Sequence, residues 1–163
     1  MARDKRAEVF SRESTHSDQA ASGILAALDQ LQQRVADGLR PAAHQGALVL
    51  YNEVLQRVPT DTGLLSSAIY RWHDDKQSSP DRQVYQIGVN KRRAPHWHLI
   101  EYGHWRVNKF RLIDGKWLPT RERLDTPAWV PANPYIRPAF DARLEGAFDA
   151  ARRRMAEKLE GQP

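Results

Sequence analysis

The side chains best suited to chemistry in this sequence are His73, His96, His98 and His104, with Glu101 among the last three. Imidazoles beside a carboxylate are the donor set of zinc sites and of general acid–base catalysis. Their spacing argues against a metal. On a helical turn residues 96 and 98 point to different sides, and the stronger zinc pattern, two histidines four apart on a helix with a glutamate beside the first, is absent. Glu101 has no partner acid, nucleophile or phosphate-cradling glycine loop beside it in the sequence. Asp61-Thr62-Gly63 spells the loop of an aspartic protease, but that chemistry takes two carboxylates sharing one proton. The flanks supply a helical pattern before the triplet and no hydrophobic pocket pattern after it. The chain has no cysteine, which excludes disulfides, thiolate nucleophiles and Cys-based zinc sites together. No catalytic, cofactor or metal residue is assigned, and the chain is read as not an enzyme.

The elements that would position any site follow from periodicity. Residues 1–18 mix Arg, Lys, Glu, Ser and Thr with only Val9 and Phe10 as a large apolar pair, so they read as a flexible arm ordered against a neighbour. Residues 19–163 read as a single domain, with Ser17 or Asp18 as the N-cap of its first helix. Ile24, Leu28, Leu31, Val35 and Leu39 form a helical stripe, which resumes with Ala43, Ala47, Leu50, Val54 and Val58. Pro41 between them predicts a kink or break over residues 37–41, because an interior proline costs about 3 kcal/mol. Pro59 ends the helical run, and Thr60 to Gly63 form a corner in which Asp61 bonds nearby backbone and Gly63 takes a positive φ.

Beyond the corner, residues 64–72 fit a strand or a helix, and residues 83–89 alternate as a strand, so the two make a hairpin around the loop at residues 74–82. Residues 94–103 fit a short helical turn closed by Gly103. Residues 105–113 and 116–119 flank Asp114-Gly115, a strong two-residue hairpin signal. After a rigid stretch from Pro127 to Pro138, Phe140, Leu144, Phe148, Ala151, Met155 and Leu159 mark a last helix. The fold class is α+β: a long kinked N-terminal helical segment and a C-terminal helix packed on a small, mainly antiparallel sheet with an extended hairpin. The core face of that sheet is expected to hold Ile69, Val84 or Tyr85, Ile87, Val89, Leu99 and Ile100.

Composition bounds the role. The 163 residues suffice for one core, but a mean hydropathy of −0.70 and 28% charged residues predict that some elements need neighbouring subunits for burial. No run has the length of a membrane span and no signal-peptide pattern opens the chain, so it is expected to be made in the cytoplasm, with no membrane partner. The net charge of +5 concentrates between residues 91 and 123, where Lys91, Arg92, Arg93, Arg106, Lys109 and Arg111 form a candidate basic surface. Such a surface suits a phosphate backbone or an acidic protein equally, and no base-reading motif accompanies it. Nonspecific nucleic-acid binding is the alternative function, and a metal-dependent enzyme a more distant one. Five tryptophans, Trp72, Trp97, Trp105, Trp117 and Trp129, exceed what one small core absorbs, and interface centres favour such rings. Trp105, Val107, Phe110, Leu112 and Trp117 are the candidate interface, on a hairpin expected to make contacts outside its own subunit.

Three ordered motifs carry a resemblance: Pro59-Thr-Asp61-Thr-Gly63-Leu-Leu65, then Leu99-Ile-Glu101-Tyr-Gly103, then Pro131-Ala-Asn-Pro134-Tyr-Ile-Arg137-Pro138-Ala-Phe140. Over roughly residues 20–160 the chain resembles the small neck and tail-completion proteins of long-tailed bacteriophages, typified by the head-tail joining protein of the Hong Kong lambdoid phage. It departs from the family pattern in His104 after the glycine and in the longer connection from Trp105 to Trp129. The resemblance implies a virion protein at the head–tail junction, a tail-completion, tail-terminator or neck ring, commonly sixfold. Its implied partners are the tail tube protein, head-side connector or stopper proteins and, nonspecifically, packaged DNA. It also implies structural roles for Pro59, Asp61, Gly63, Glu101, Gly103, Pro134, Arg137 and Pro138, with Arg137 expected to pair with the Glu101 carboxylate.

Overall fold

A computed structural model describes residues 3–61 and 63–161, with side chains from residue 21 onward. Helix α1 (Arg3–Arg57) is followed by α2 (Leu64–Ala68), β1 (Ile69–His73), β2 (Tyr85–Val89), α3 (Trp97–Tyr102), β3 (His104–Ile113), β4 (Lys116–Val130) and α4 (Ile136–Leu159). The fold is α+β, with two separate antiparallel hairpins, β1–β2 and β3–β4, in place of the single small sheet expected.

α1 runs unbroken through Pro41, so of the kink or break expected at residues 37–41 the break does not occur and one helix spans the proline. Proline forfeits one helical bond, and packing on both sides of it compensates. Ala42, Gly46 and Ala47 are buried on α1, as are Ala139 and Ala147 on α4. These small residues let the two helices lie close and antiparallel: a Cβ at Gly46 would stand 3.0 Å from the Ala147 carbonyl oxygen, and one at Gly38 would meet the Met155 sulfur. The Glu53 carboxylate spans the pair, accepting from Arg143 Nε at 2.9 Å and from Arg57 Nε at 2.7 Å. Arg143 first, then Arg57, holds the Glu53 carboxyl below its ordinary range. α4 therefore packs on α1 and not chiefly on a sheet, as had been expected.

The α1–α4 pairing closes near Arg34, whose guanidinium donates to the Leu159 carbonyl at 3.5 Å. N-terminal to it α1 continues without that partner, and Ile24, Leu25, Leu28 and Leu31 are exposed. Ser17 and Asp18 fall inside α1 and not at its cap. The side chains of the segment read as an arm lie outside the described residues, as do residues 1 and 2.

The core gathers Val54 and Val58 of α1, Leu65 and Ala68 of α2, Ile69, Val89, Ala94, Tyr135 and Ala139. Ile87 and Ile100 pack against it, while Val84, Tyr85 and Leu99 are only half-buried. β1 pairs with β2 from Ile69↔Val89 to His73↔Tyr85. Against this hairpin α1 places His44, whose Nε2 lies 3.1 Å from an Arg71 nitrogen. Burial, and then the Arg71 charge, lowers the His44 pKa, so the ring accepts as a neutral imidazole.

Candidate functional site

The three sequence motifs converge, and what they build is a junction. Pro59 stops α1, and Gly63, at φ 74°, opens α2, the left-handed conformation anticipated for it. The corner is flanked by Val58 and Leu65, both in the core cluster that also holds Tyr135 and Ala139 of the third motif. Asp61 is exposed. Glu101, of the second motif, is 6% exposed and aims its carboxylate at the start of α4. One oxygen accepts from the backbone N–H groups of Tyr135 and Ile136 at 2.9 and 3.1 Å, and the other from that of Arg137 at 3.1 Å. The first N–H groups of a helix lack internal partners and carry partial positive charge, so a carboxylate there satisfies both needs.

Glu101 thus meets residue 137 through the main chain. Among the described residues no ion pair joins the exposed Arg137 guanidinium to Glu101, which corrects the side-chain pairing expected. The helix terminus outcompetes it, offering three donors already fixed in place. Beside this cap Pro134, Arg137 and Pro138 line an open depression of about 690 Å³ together with Glu101 and Asp141. Tyr135 is fully buried, and burial, then the Glu101 charge, pushes its phenol up to about 12.

Gly103, two residues after Glu101, launches the second hairpin at φ 73° and ψ 171°. β3 and β4 turn at Asp114-Gly115, both at positive φ (50° and 75°), the two-residue turn that the sequence predicts. β4 is much longer than the predicted return strand, reaching Val130. The stretch thought rigid from Pro127 therefore begins as strand, and irregular chain starts only at Pro131. Pairing is irregular between Arg106 and Phe110, where β4 holds extra residues, and regular from Phe110↔Pro119 to Ile113↔Lys116.

The ribbon packs chiefly on itself and is exposed over nearly its whole length. Trp105 meets Trp129 edge to face at 5.3 Å near its base, and Trp117 pairs with Leu112 at its tip, so Trp105 and Trp117 do not pair with each other. Trp117 is 67% and Trp105 63% exposed, with Val107, Phe110, Leu112, Ile113, Leu118 and Trp129 also open. The candidate interface residues thus lie on one projecting arm. Arg106 stands over the Phe110 ring at 5.6 Å and Arg111 pairs with Glu122 at 2.7 Å. Lys91, Arg92 and Arg93 sit on the exposed turn after β2, so the basic residues are divided between turn and arm.

The histidines do not assemble. His96 and His98 are exposed about α3, His104 Nδ1 lies 3.4 Å from the Leu99 carbonyl oxygen, and His73 is held by Asp75 and Gln83. Among the described residues no group of three or more possible ligands could hold a metal ion.

A second open surface was missed in the sequence. Phe140, Leu144 and Phe148, the residues that mark α4 in the sequence, are exposed and line an apolar groove of about 400 Å³ with Leu50, Ile87 and Ile136. Asp141, Glu145 and Asp149 run beside them, all exposed. The signal was available: two rows at steps of four, one apolar and one acidic, lie side by side on a helix.

Residues 22–103 match the model of the HK97-gp10-like family, described as "Bacteriophage HK97-gp10, putative tail-component". The match ends where the projecting arm begins. No curated protein and no solved structure matches the chain.

Proposed function

Because the chain belongs to the HK97-gp10-like family of bacteriophage tail components, we propose that it is a structural subunit of the head–tail junction, a tail-completion or tail-terminator ring. Its work has no turnover. One face meets the tail tube protein and the other the head-side connector or stopper, with six copies closing the ring. The observation that carries this reading is the β3–β4 arm. A two-stranded ribbon is marginal in water by itself, yet this one holds large apolar side chains in solvent. Contiguous exposed apolar surface marks an interaction site, and a subunit that repeats one heterologous contact closes a ring when the rotation returns to its start. Among the described residues no helix is long and apolar enough to cross a membrane. The reading assigns the arm and the bare stripe of α1 to protein neighbours.

The test is removal of the arm. Deleting residues 107–115 and bridging the gap is expected to leave a chain with native circular dichroism and a cooperative melt. It should abolish ring formation, seen by light scattering and electron microscopy, and fail to rescue infectivity in a phage lacking its own copy. A deleted chain that still forms rings and rescues particles refutes the assignment.

A further inference from the structure

Two of the apolar surfaces that the chain leaves open, the arm and the groove along α4, have charge of opposite sign beside them. The arm is a two-stranded ribbon with Phe110, Leu112 and Trp117 toward its tip. Residues 104–130 contain six basic side chains against three acidic. The groove along α4 is concave and apolar, and the exposed row Asp141, Glu145 and Asp149 lies one position further round the helix from Phe140, Leu144 and Phe148. Asp149 pairs with Arg152 at 3.4 Å, whereas Asp141 and Glu145 have no ion pair among the described residues.

The dimensions agree. Phe140 to Phe148 spans about 12 Å of helix, and the ribbon from Phe110 to its turn spans about 14 Å. Within one chain the arm packs chiefly on itself and leaves the groove open.

We infer that the groove along Phe140, Leu144 and Phe148 is the acceptor for the β3–β4 arm of a second copy of this chain, with Arg106 and Lys109, which lie beside Phe110 and Trp117 on the arm, meeting Asp141 and Glu145. The inference rests on the ring reading above and supplies its repeating contact. Donor and acceptor are different surfaces of the same chain, so the contact is heterologous, as a cyclic ring requires. Burial of the apolar tip holds the arm in place, and the opposed charges set its register and speed the encounter.

The absence of cysteine permits a direct test in the full-length chain. In the double variant Leu112→Cys, Leu144→Cys, mild oxidation is expected to link each chain to the next, giving a ladder of multimers on a denaturing gel that collapses on reduction. Mixing the two single variants should give linked dimers and no ladder. The control pair Leu112→Cys, Arg153→Cys places the second thiol on the far side of α4 and should link no faster than background. Independently, Asp141→Lys with Glu145→Lys should raise the concentration needed for assembly by about tenfold or more. Adding Arg106→Glu and Lys109→Glu to that chain should restore assembly, which a merely structural defect would not allow.

If the parent chain stays monomeric at every concentration, the ring reading falls and this contact falls with it. If the parent assembles while the test pair links no better than the control and the charge reversals change nothing, the groove assignment is overturned and the ring reading stands. Quenching of tryptophan fluorescence by duplex DNA in assembled protein that is lost in Trp117→Phe, without cross-linking, assigns the arm to packaged DNA and equally overturns it.

Discussion

Glu101 is the residue on which the start of α4 depends, and its substitution gives the sharpest test of the junction. In Glu101→Ala the three N–H groups now bonded at 2.9–3.1 Å lose their acceptor. Loss of a helix cap costs about 1–2 kcal/mol, loss of the carboxylate's attraction to the helix terminus about 1 kcal/mol, and the buried Tyr135 N–H left unpaired about 1 kcal/mol or more. The sum, about 3–4 kcal/mol, corresponds to a fall in Tm of roughly 6–16 °C for a chain of this size. Glu101→Gln keeps one acceptor oxygen but turns an amide toward the remaining N–H, so about half of that loss is expected.

Thermal and urea melts followed by circular dichroism at low protein concentration would measure both variants. An alanine variant melting within about 2 °C of the parent, or a glutamine variant less stable than the alanine one, would refute the cap as the basis of the junction.

Two other substitutions probe the frame. Gly63→Val forces a β-branched residue to φ 74°, where nothing crowds a Cβ, so its cost is conformational alone, about 1–2 kcal/mol. A melt indistinguishable from the parent would count against the corner. For Glu53 the linkage has a definite sign: its folded pKa lies below the ordinary 4.5 because Arg143 and Arg57 favour the carboxylate. The stability it lends is therefore present above pH 4.5 and lost as pH falls through the lower folded value. Glu53→Gln should melt below the parent at pH 7, with the gap narrowing under acid, and a gap constant down to the acid limit would contradict the assignment.

The sequence exposed features governed by local chemistry and hid those decided by what lies opposite. Pro59, Gly63, Gly103 and Asp114-Gly115 each require particular backbone geometry and were legible at once. That α1 continues through Pro41 was hidden because the proline's cost is local while its compensation, the close fit of Gly38 and Gly46 against α4, comes from residues over ninety positions away. The length of β4 was hidden by Pro119 and Pro127, which would interrupt a central strand but sit in a ribbon where each strand is an edge. The exposure of Phe140, Leu144 and Phe148 was hidden because periodicity shows that a face is apolar and not what covers it. The family match covers residues 22–103, which takes in the first two motifs and not the third, and the arm begins at the next residue.

That boundary makes Gly103 the hinge between the family fold and the arm, and it yields the most demanding prediction. Glu101 fixes the direction of α4 and Gly103, two residues on, fixes the direction of the arm, so one short turn sets the angle between the proposed donor and acceptor. A ring closes only if that angle repeats from copy to copy. Gly103 holds φ 73° and ψ 171°, a region nearly restricted to glycine. An added Cβ would come within 2.8 Å of the Trp129 ring, 2.8 Å of the Val130 carbonyl oxygen and 2.9 Å of the Ala132 nitrogen. Two of those atoms are backbone, so relief must come from moving β4 itself. Gly103→Ala is expected to destabilise the chain by about 1–3 kcal/mol while α1, α4 and their shared core stay folded, and to swing the arm enough that closed rings give way to monomers or open chains of irregular curvature. Mass photometry and electron microscopy would separate these products. A Gly103→Ala chain that melts like the parent and closes the same ring would show that the arm's exit angle is not what sets closure.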